Sequence, residues 1–244
     1  MTLWLLPLVP IIAGAFIATL GDRSRLSLGI MAVATLAATL VLALLGVSQD
    51  WTATLVWTDA IRLSAAFVPV SAAVAIMVPT VAIAVVFHAT QNESKTGLAR
   101  LIGLMILFTG GMELVVVAND LLTLLIGWEL IGACSWALIS HKWRQIDNPQ
   151  SGLYAFVTTR TGDLGLFAAL MALFTATGSF DYAGIQNLGG PLQWVVGFGI
   201  LFSAASKAGQ VPFSPWLFRA MAGPSSVSAL LHAATLVAAG AYLV

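Results

Sequence analysis

Charge is scarce in this chain. Only 8% of its 244 residues are Asp, Glu, Lys or Arg, ten acidic and ten basic, so the formal net charge is zero. A soluble domain carries about 25% charged residues, roughly three times as much. Without a basic excess, a nucleic-acid binder is excluded on charge alone. Cysteine is nearly absent as well. Cys134 is the only one, so it cannot pair within the chain and a secreted disulfide scaffold is excluded. No second His or Cys stands at metal-ligand spacing around His232, and no metal site is expected. There is no Gly-rich phosphate loop, no His-Glu-x-x-His, no Cys-x-x-Cys and no Gly-x-Ser-x-Gly. The chain therefore offers no catalytic redox centre, nucleotide site or cofactor site of its own. Met1 to Leu6 hold no Lys or Arg, which a cleaved signal peptide needs in its n-region, so the first apolar run reads as a retained membrane span.

What the chain has is apolar length. It is 59% hydrophobic, with a mean hydropathy of +0.97. A bilayer core needs about 20 apolar residues as helix. The chain supplies eight such stretches: Leu3–Leu20, Leu26–Val47, Val68–Ala89, Leu98–Ala118, Leu121–Ser140, Leu153–Thr177, Pro191–Gln210 and Ser225–Val244. They run without the dyad alternation of a transmembrane strand, so the fold class is an all-α polytopic helix bundle. Trp51–Ala66 is more mixed and reads as an interfacial or extramembrane loop with room for a short hairpin. Residues 1–66 are taken as two leading helices plus that loop, and residues 67–244 as the core. Arg23, Arg25, Lys95, Arg100, Lys142, Arg144 and Arg219 fall in the odd-numbered linkers, against Arg62 alone in the even ones. That bias predicts cytoplasmic odd linkers and an outer N-terminus. The acids Asp50, Asp59, Asp120 and Asp181 then lie on the outer side.

Six ionisable groups remain inside predicted spans: Glu113, Glu129, Arg160, Asp163, Lys207 and His232. A charge at mid-bilayer costs about 2.5–3.5 kcal/mol on the most lenient scale. Such groups must face protein or water, and they should pair. Glu129 is the ninth residue of its span, about 13 Å deep. It serves either as a structural carboxylate or as a proton site. Lys207 sits in an apolar run that Pro212 and Pro215 cannot continue as helix. A helix broken near 207–215, with Lys207 at the break, is the pattern of ion sites in transporters; the plain alternative is a lysine snorkelling to the interface. Arg160 and Asp163 are three apart and share a helix face, so they read as a supporting ion pair. His232 is a relay histidine or a packed neutral one. Glu113 is a further carrier, a partner for Lys207 or Arg160, or a hydrogen-bonded structural acid.

Four ordered motifs carry a resemblance. They are Gly127-Trp128-Glu129-Leu130-Ile131-Gly132 with Cys134-Ser135, and Thr159-Arg160-Thr161-Gly162-Asp163. The third is Ser206-Lys207-Ala208-Gly209-Gln210-Val211-Pro212 with Trp216-Leu217. The fourth is Ala220-Met221-Ala222-Gly223-Pro224 running into Val227-Ser228-Ala229-Leu230-Leu231-His232-Ala233-Ala234-Thr235. Over residues 119–244 the chain resembles the antiporter-like proton-translocating membrane subunits of respiratory complex I, above all the L-subunit (mitochondrial subunit 5) type. The same superfamily includes the A subunit of Mrp-type sodium/proton antiporters and the membrane subunit of an inorganic-carbon uptake system. The resemblance implies one repeat of an inverted-repeat fold, a half-channel in which Glu129 modulates the charge of Lys207 and His232 passes protons toward a second half. It implies a subunit of a translocase such as NADH:quinone oxidoreductase, with other membrane subunits and protons, or sodium ions in the alternative, as partners, in the bilayer of a bacterial plasma membrane. A non-conducting membrane scaffold is the reading from a different class. Glu113 stands where the family is usually apolar, and Arg219 and Ser226 depart from its pattern. The stretch amounts to about one repeat plus leading helices, where family members carry two.

Overall fold

The computed structural model describes residues 2–21, 23–58, 61–233 and 236–243. Asp59, counted above among the outer acids, Ala234 and Thr235 of the last motif, and Val244 at the end of the eighth stretch lie outside the described residues. The chain folds as α1 (Leu5–Thr19), α2 (Arg25–Ser48), a hairpin of β1 (Thr52–Val56) and β2 (Arg62–Ala66), then α3 (Pro69–Asn92), α4 (Leu98–Val117), α5 (Leu121–Ile139) and α6 (Asp147–Thr177). It ends with α7 (Gly190–Lys207), α8 (Pro215–Ala220), α9 (Ser225–Ala233) and α10 (Leu236–Leu243).

Local chemistry sets the helix starts. Ser24 caps α2, its hydroxyl accepting the Ser27 N–H at 3.1 Å. Pro69 opens α3, where its missing N–H costs nothing. Asp120 caps α5, accepting from Thr123 N at 2.7 Å. The expected spans coincide with helices to within a few residues, apart from one difference. α6 begins at Asp147, six positions before the expected Leu153, because Asp147 suits a first turn and Pro149 is tolerated there. The eighth stretch is helical on both sides of residues 234 and 235, as α9 and α10. Among the described residues, five helices are long and apolar enough to cross a membrane, ending with Leu121–Lys142. α6 has the length, at 31 residues, but carries Asp147, Asn148, Gln150, Arg160 and Asp163. The mixed loop is the antiparallel hairpin, with Thr52 opposite Ala66 and Val56 opposite Arg62.

Side-chain bonds gather alternate helix ends at two faces. At one face Arg25 donates to the carbonyls of Thr90 (2.7 Å), Gln91 (2.8 Å) and Glu93 (2.6 Å). Arg100 donates to the His141 carbonyl at 2.9 Å, and the Arg219 guanidinium stacks 3.9 Å from the Tyr154 ring. The odd linkers thus meet at one end. At the opposite end Asp120 is a hub: its carboxylate accepts Ser64 N (2.6 Å), Ser64 Oγ (2.8 Å) and Thr123 Oγ1 (2.7 Å), tying the hairpin to α5. Tyr182, beside this hub, stays a neutral phenol, because burial and then the Asp120 charge push its hydroxyl up.

α4 is the central rod. Between Leu101 and Val117 every residue except Leu104 and Leu107 is buried. α1 lies directly on it through glycines: a Cβ on Gly103 would fall 2.6 Å from the Gly14 carbonyl oxygen. Close backbone approach through small residues is how helices associate in lipid, where no hydrophobic force draws them together. Large apolar side chains such as Phe16 (58% exposed), Phe87 (58%) and Phe198 (62%) point outward instead, as lipid-facing residues do. Gly103→Ala is expected to overpack this seam by about 1–3 kcal/mol and to lower the melting temperature of the detergent-purified protein. Gly197→Ala, where nothing lies within 4 Å, should leave it unchanged or raise it, since Ala favours helix by about 1 kcal/mol. Equal shifts from the two changes would contradict the packing described.

Candidate functional site

The seam between α5, α6 and α7 holds the charged residues. α7 stops at Lys207 because Gly209 adopts a left-handed turn (φ +62°) and Pro212 and Pro215 follow. The break leaves carbonyls without helical partners, and the protein satisfies them. Trp216 Nε1 donates to the Ser206 carbonyl at 2.8 Å, and Gln210 N to the Ala205 carbonyl at 2.9 Å. Irregular backbone at membrane depth requires such replacements. The break places Lys207 at the negative end of the α7 dipole, favourable for an ammonium.

Lys207 is fully buried (0% exposed). Its Nζ donates to the Trp128 carbonyl on α5, lies 4.3 Å from the centre of the Trp128 ring and 4.0 Å from Asp163 Oδ2 on α6. Asp163 is itself buried, and its Oδ1 accepts from Trp128 Nε1 at 2.6 Å and Ser203 Oγ at 3.2 Å. Trp128, Asp163, Ser203 and Lys207 form one closed polar cluster. Gly132 faces the cluster, where a Cβ would stand 3.6 Å from Nζ, in ordinary contact with it.

Glu129 follows Trp128 on α5 but turns to another partner, ion-pairing with Arg160 of α6. This pair is half-buried, and Glu129 Oε1 has no hydrogen-bond partner among the described residues. The expected Arg160–Asp163 pair is not the arrangement found. Both residues lie on one α6 face, as their spacing requires, but each is committed across helices, Arg160 to Glu129 and Asp163 to Lys207. Two opposite charges on neighbouring helices win over the intrahelical contact, which is worth only about 0.2–0.5 kcal/mol and would leave a buried lysine alone. The structure therefore places Glu129 and Lys207 in two parallel pairs, linked by adjacent backbone and by the i, i+3 step of α6.

His232, on α9, is half-buried, with its ring 6.2 Å from the Trp216 ring. Its Nε2 has no hydrogen-bond partner among the described residues. Trp216 joins it by packing to Ser206, the neighbour of Lys207. Glu113 sits elsewhere, fully buried in α4, and neither carboxylate oxygen has a partner among the described residues. It does not ion-pair with Lys207 or Arg160, whose partners are on α6 and α5. Among the described residues no group of three or more His, Cys, Asp or Glu could hold a metal. The residues missed at the level of sequence are Trp128 and Ser203. Ser203 stands four before Lys207, hence on the same helical face, and that spacing was a readable signal; nothing in the sequence pointed Trp128 both ways, ring to Asp163 and carbonyl to Lys207.

Residues 118–244 match the model of the family described as NADH:quinone oxidoreductase/Mrp antiporter, TM. The chain belongs to that family. Glu129, Arg160, Asp163, Lys207 and His232 all lie within the matched region, and Glu113 lies before it. A chloroplastic NAD(P)H-quinone oxidoreductase subunit 5 of Mesostigma viride is 36% identical over 187 residues, covering 72% of this chain and 29% of the relative. NADH-quinone oxidoreductase subunit L of Escherichia coli is 36% identical over 160 residues, covering 62% of this chain and 26% of the relative. The solved structure of the Mrp complex from Dietzia sp. DQ12-45-1b superposes on the whole chain with a TM-score of 0.85 at 27% identity, covering 28% of that chain. The chain thus spans under a third of the length of these relatives.

Asp163→Asn would leave Lys207 buried beside a neutral amide. Removing one partner of a buried pair costs about 3–5 kcal/mol. The single variant should melt well below the wild type in detergent, and Asp163→Asn with Lys207→Met should recover most of the loss. A double variant as unstable as the sum of the singles would show that the pair is not coupled.

Proposed function

We propose that this integral membrane protein is a proton-translocating subunit of a respiratory complex I-like (NADH:quinone oxidoreductase-type) assembly, acting alongside other membrane subunits. The observation that carries this reading is Lys207: a fully buried amine at the end of a broken helix, with one carboxylate, one carbonyl and one ring around it. A group so placed can hold a proton and release it only when its surroundings change. Glu129 and Arg160 are the nearest adjustable surroundings. With Glu129 ionised, Arg160 is paired; with Glu129 protonated, the guanidinium is left uncompensated one helical turn from Asp163. An unpaired Arg160 repels the Lys207 ammonium and competes for Asp163, which favours passing the proton on. His232, behind Trp216, is the acceptor in this scheme, reached by way of water. Glu113 is a further carrier on α4, reached separately because no bond among the described residues joins it to the seam.

In this proposal residues 67–244 form a half-channel core and residues 1–66 add two helices and the hairpin. The odd linkers face the cytoplasm of a bacterial cell, on the strength of the seven basic residues gathered at that end. The likeness to the Mrp complex favours one alternative, in which the ion moved against protons is sodium.

In proteoliposomes containing the whole assembly, Lys207→Ala and Glu129→Gln should each lower proton flux, read with a pH-sensitive dye, by about a hundredfold, the lower range for losing a positioned proton-transfer group. His232→Ala should lower it less. Unchanged flux in both of the first two variants would overturn the proposal. Sodium uptake driven by an imposed pH gradient and abolished by a protonophore would favour the antiporter alternative.

A further inference from the structure

Two cavities open side by side at the basic end of the bundle, between the start of α4, the end of α5 and the start of α6. One, of about 500 Å³, is an apolar groove along Leu104, Trp136, Ala137 and Leu153. The other, of about 410 Å³, is a cleft whose lining residues include His141, Lys142 and Arg144. Arg100 and Trp143 line both, so the two meet there. Segments 93–100 and 140–147 that frame the cleft carry Lys95, Arg100, Lys142 and Arg144 against Glu93 and Asp147, and Glu93 is taken up by Ser226 Oγ at 2.8 Å. Arg100 spends one N–H on the His141 carbonyl, leaving the rest of its guanidinium exposed at the junction. α4 starts in the cleft wall at Gly97 without a side-chain cap, so its first N–H groups add positive potential. His141 is 7% exposed in that wall, and its Nδ1 has no hydrogen-bond partner among the described residues.

The depths also fit. Leu104 lies one turn into α4 from Arg100, about 6 Å, and Trp136 lies about 5 Å into α5 from its end at Ile139, beyond which Lys142 stands. Positive side chains thus stand at headgroup level, and apolar walls run from them toward the bilayer interior. A free anion would use the cleft and leave the groove without purpose. An acidic protein segment would not need walls that descend into hydrocarbon. We propose that the joined cavities form a binding site for one anionic glycerophospholipid. Arg100, Lys142 and Arg144 hold its phosphate, and its acyl chains lie along Leu104, Trp136 and Leu153. Basic pockets between transmembrane helices on the cytoplasmic side are the places where anionic headgroups bind. The inference is independent of proton movement through the seam.

Native mass spectrometry of the assembled complex, released from micelles containing phosphatidylglycerol or phosphatidylcholine, tests it. The wild type should retain phosphatidylglycerol. Lys142→Gln with Arg144→Gln should lower that retention about thirtyfold without affecting phosphatidylcholine, and Leu153→Trp, which fills the groove but leaves every charge, should lower it too. All three positions are exposed, so the variants should melt like the wild type, and Arg100 is left to its structural bond. Millimolar inorganic phosphate should not displace the lipid. Equal retention in wild type and both variants would overturn the proposal, as would a wild-type complex that keeps no anionic lipid because a neighbouring subunit fills the cavities. Displacement by phosphate together with no effect of Leu153→Trp would overturn it in favour of a free-anion site.

Discussion

A protonated amine removed from water must be compensated on the spot, and the arrangement of α5, α6 and α7 follows from that demand. Lys207 has no solvent to turn to. Its charge is met by the Asp163 carboxylate, the Trp128 carbonyl, the Trp128 ring and the negative end of its own helix. The Asp163 carboxylate is in turn held by the Trp128 indole and the Ser203 hydroxyl. Any change at one member unbalances the others, because the low dielectric that strengthens each bond also raises the cost of a missing one. The same property that stabilises the cluster makes it sensitive to Glu129 and Arg160 next door.

The break in α7 makes this cluster feasible. A continuous helix would carry its C-terminal end, and the dipole with it, past Lys207. Ending the helix there exposes carbonyls, which Trp216 and Gln210 take up. Trp216 thus has two tasks, closing the broken backbone and packing against His232. Farther away, α4 gives the seam a rigid wall. Its burial along almost the whole length and its glycine contact with α1 leave it little freedom to shift. Asp120 does the same for the outer end, joining α5 to the hairpin through four hydrogen bonds from two residues. Charge chemistry at the centre therefore sits between two pinned faces.

Much of the fold was legible beforehand because membrane helices announce themselves by length and apolarity. α2, α3, α4 and α5 begin and end within three residues of the apolar runs that predicted them. The start of α6 was not, because Asp147, Asn148 and Gln150 are polar and the apolar run begins only at Leu153. The break after Lys207 was readable from Pro212 and Pro215. The titratable residues stood out because charge is so rare in this chain. Their partners did not. The i, i+3 spacing put Arg160 and Asp163 on one face and suggested that they meet; spacing along one helix says nothing about which charges the next helix presents.

The order of helices, their alternation between two faces, the crowding of basic residues at one end and the identity of the buried ionisable groups belong to the amino-acid sequence, since each follows from hydropathy, proline chemistry or the cost of burying charge. Tertiary structure alone decided that Glu129 goes to Arg160 and Lys207 to Asp163, that Trp128 contacts both members of the second pair, that Glu113 stands apart, and that an apolar groove opens beside Arg100. Those outcomes depend on the rotation and crossing of neighbouring helices, and a one-dimensional pattern of residue types carries no information about the angle at which one rod faces another.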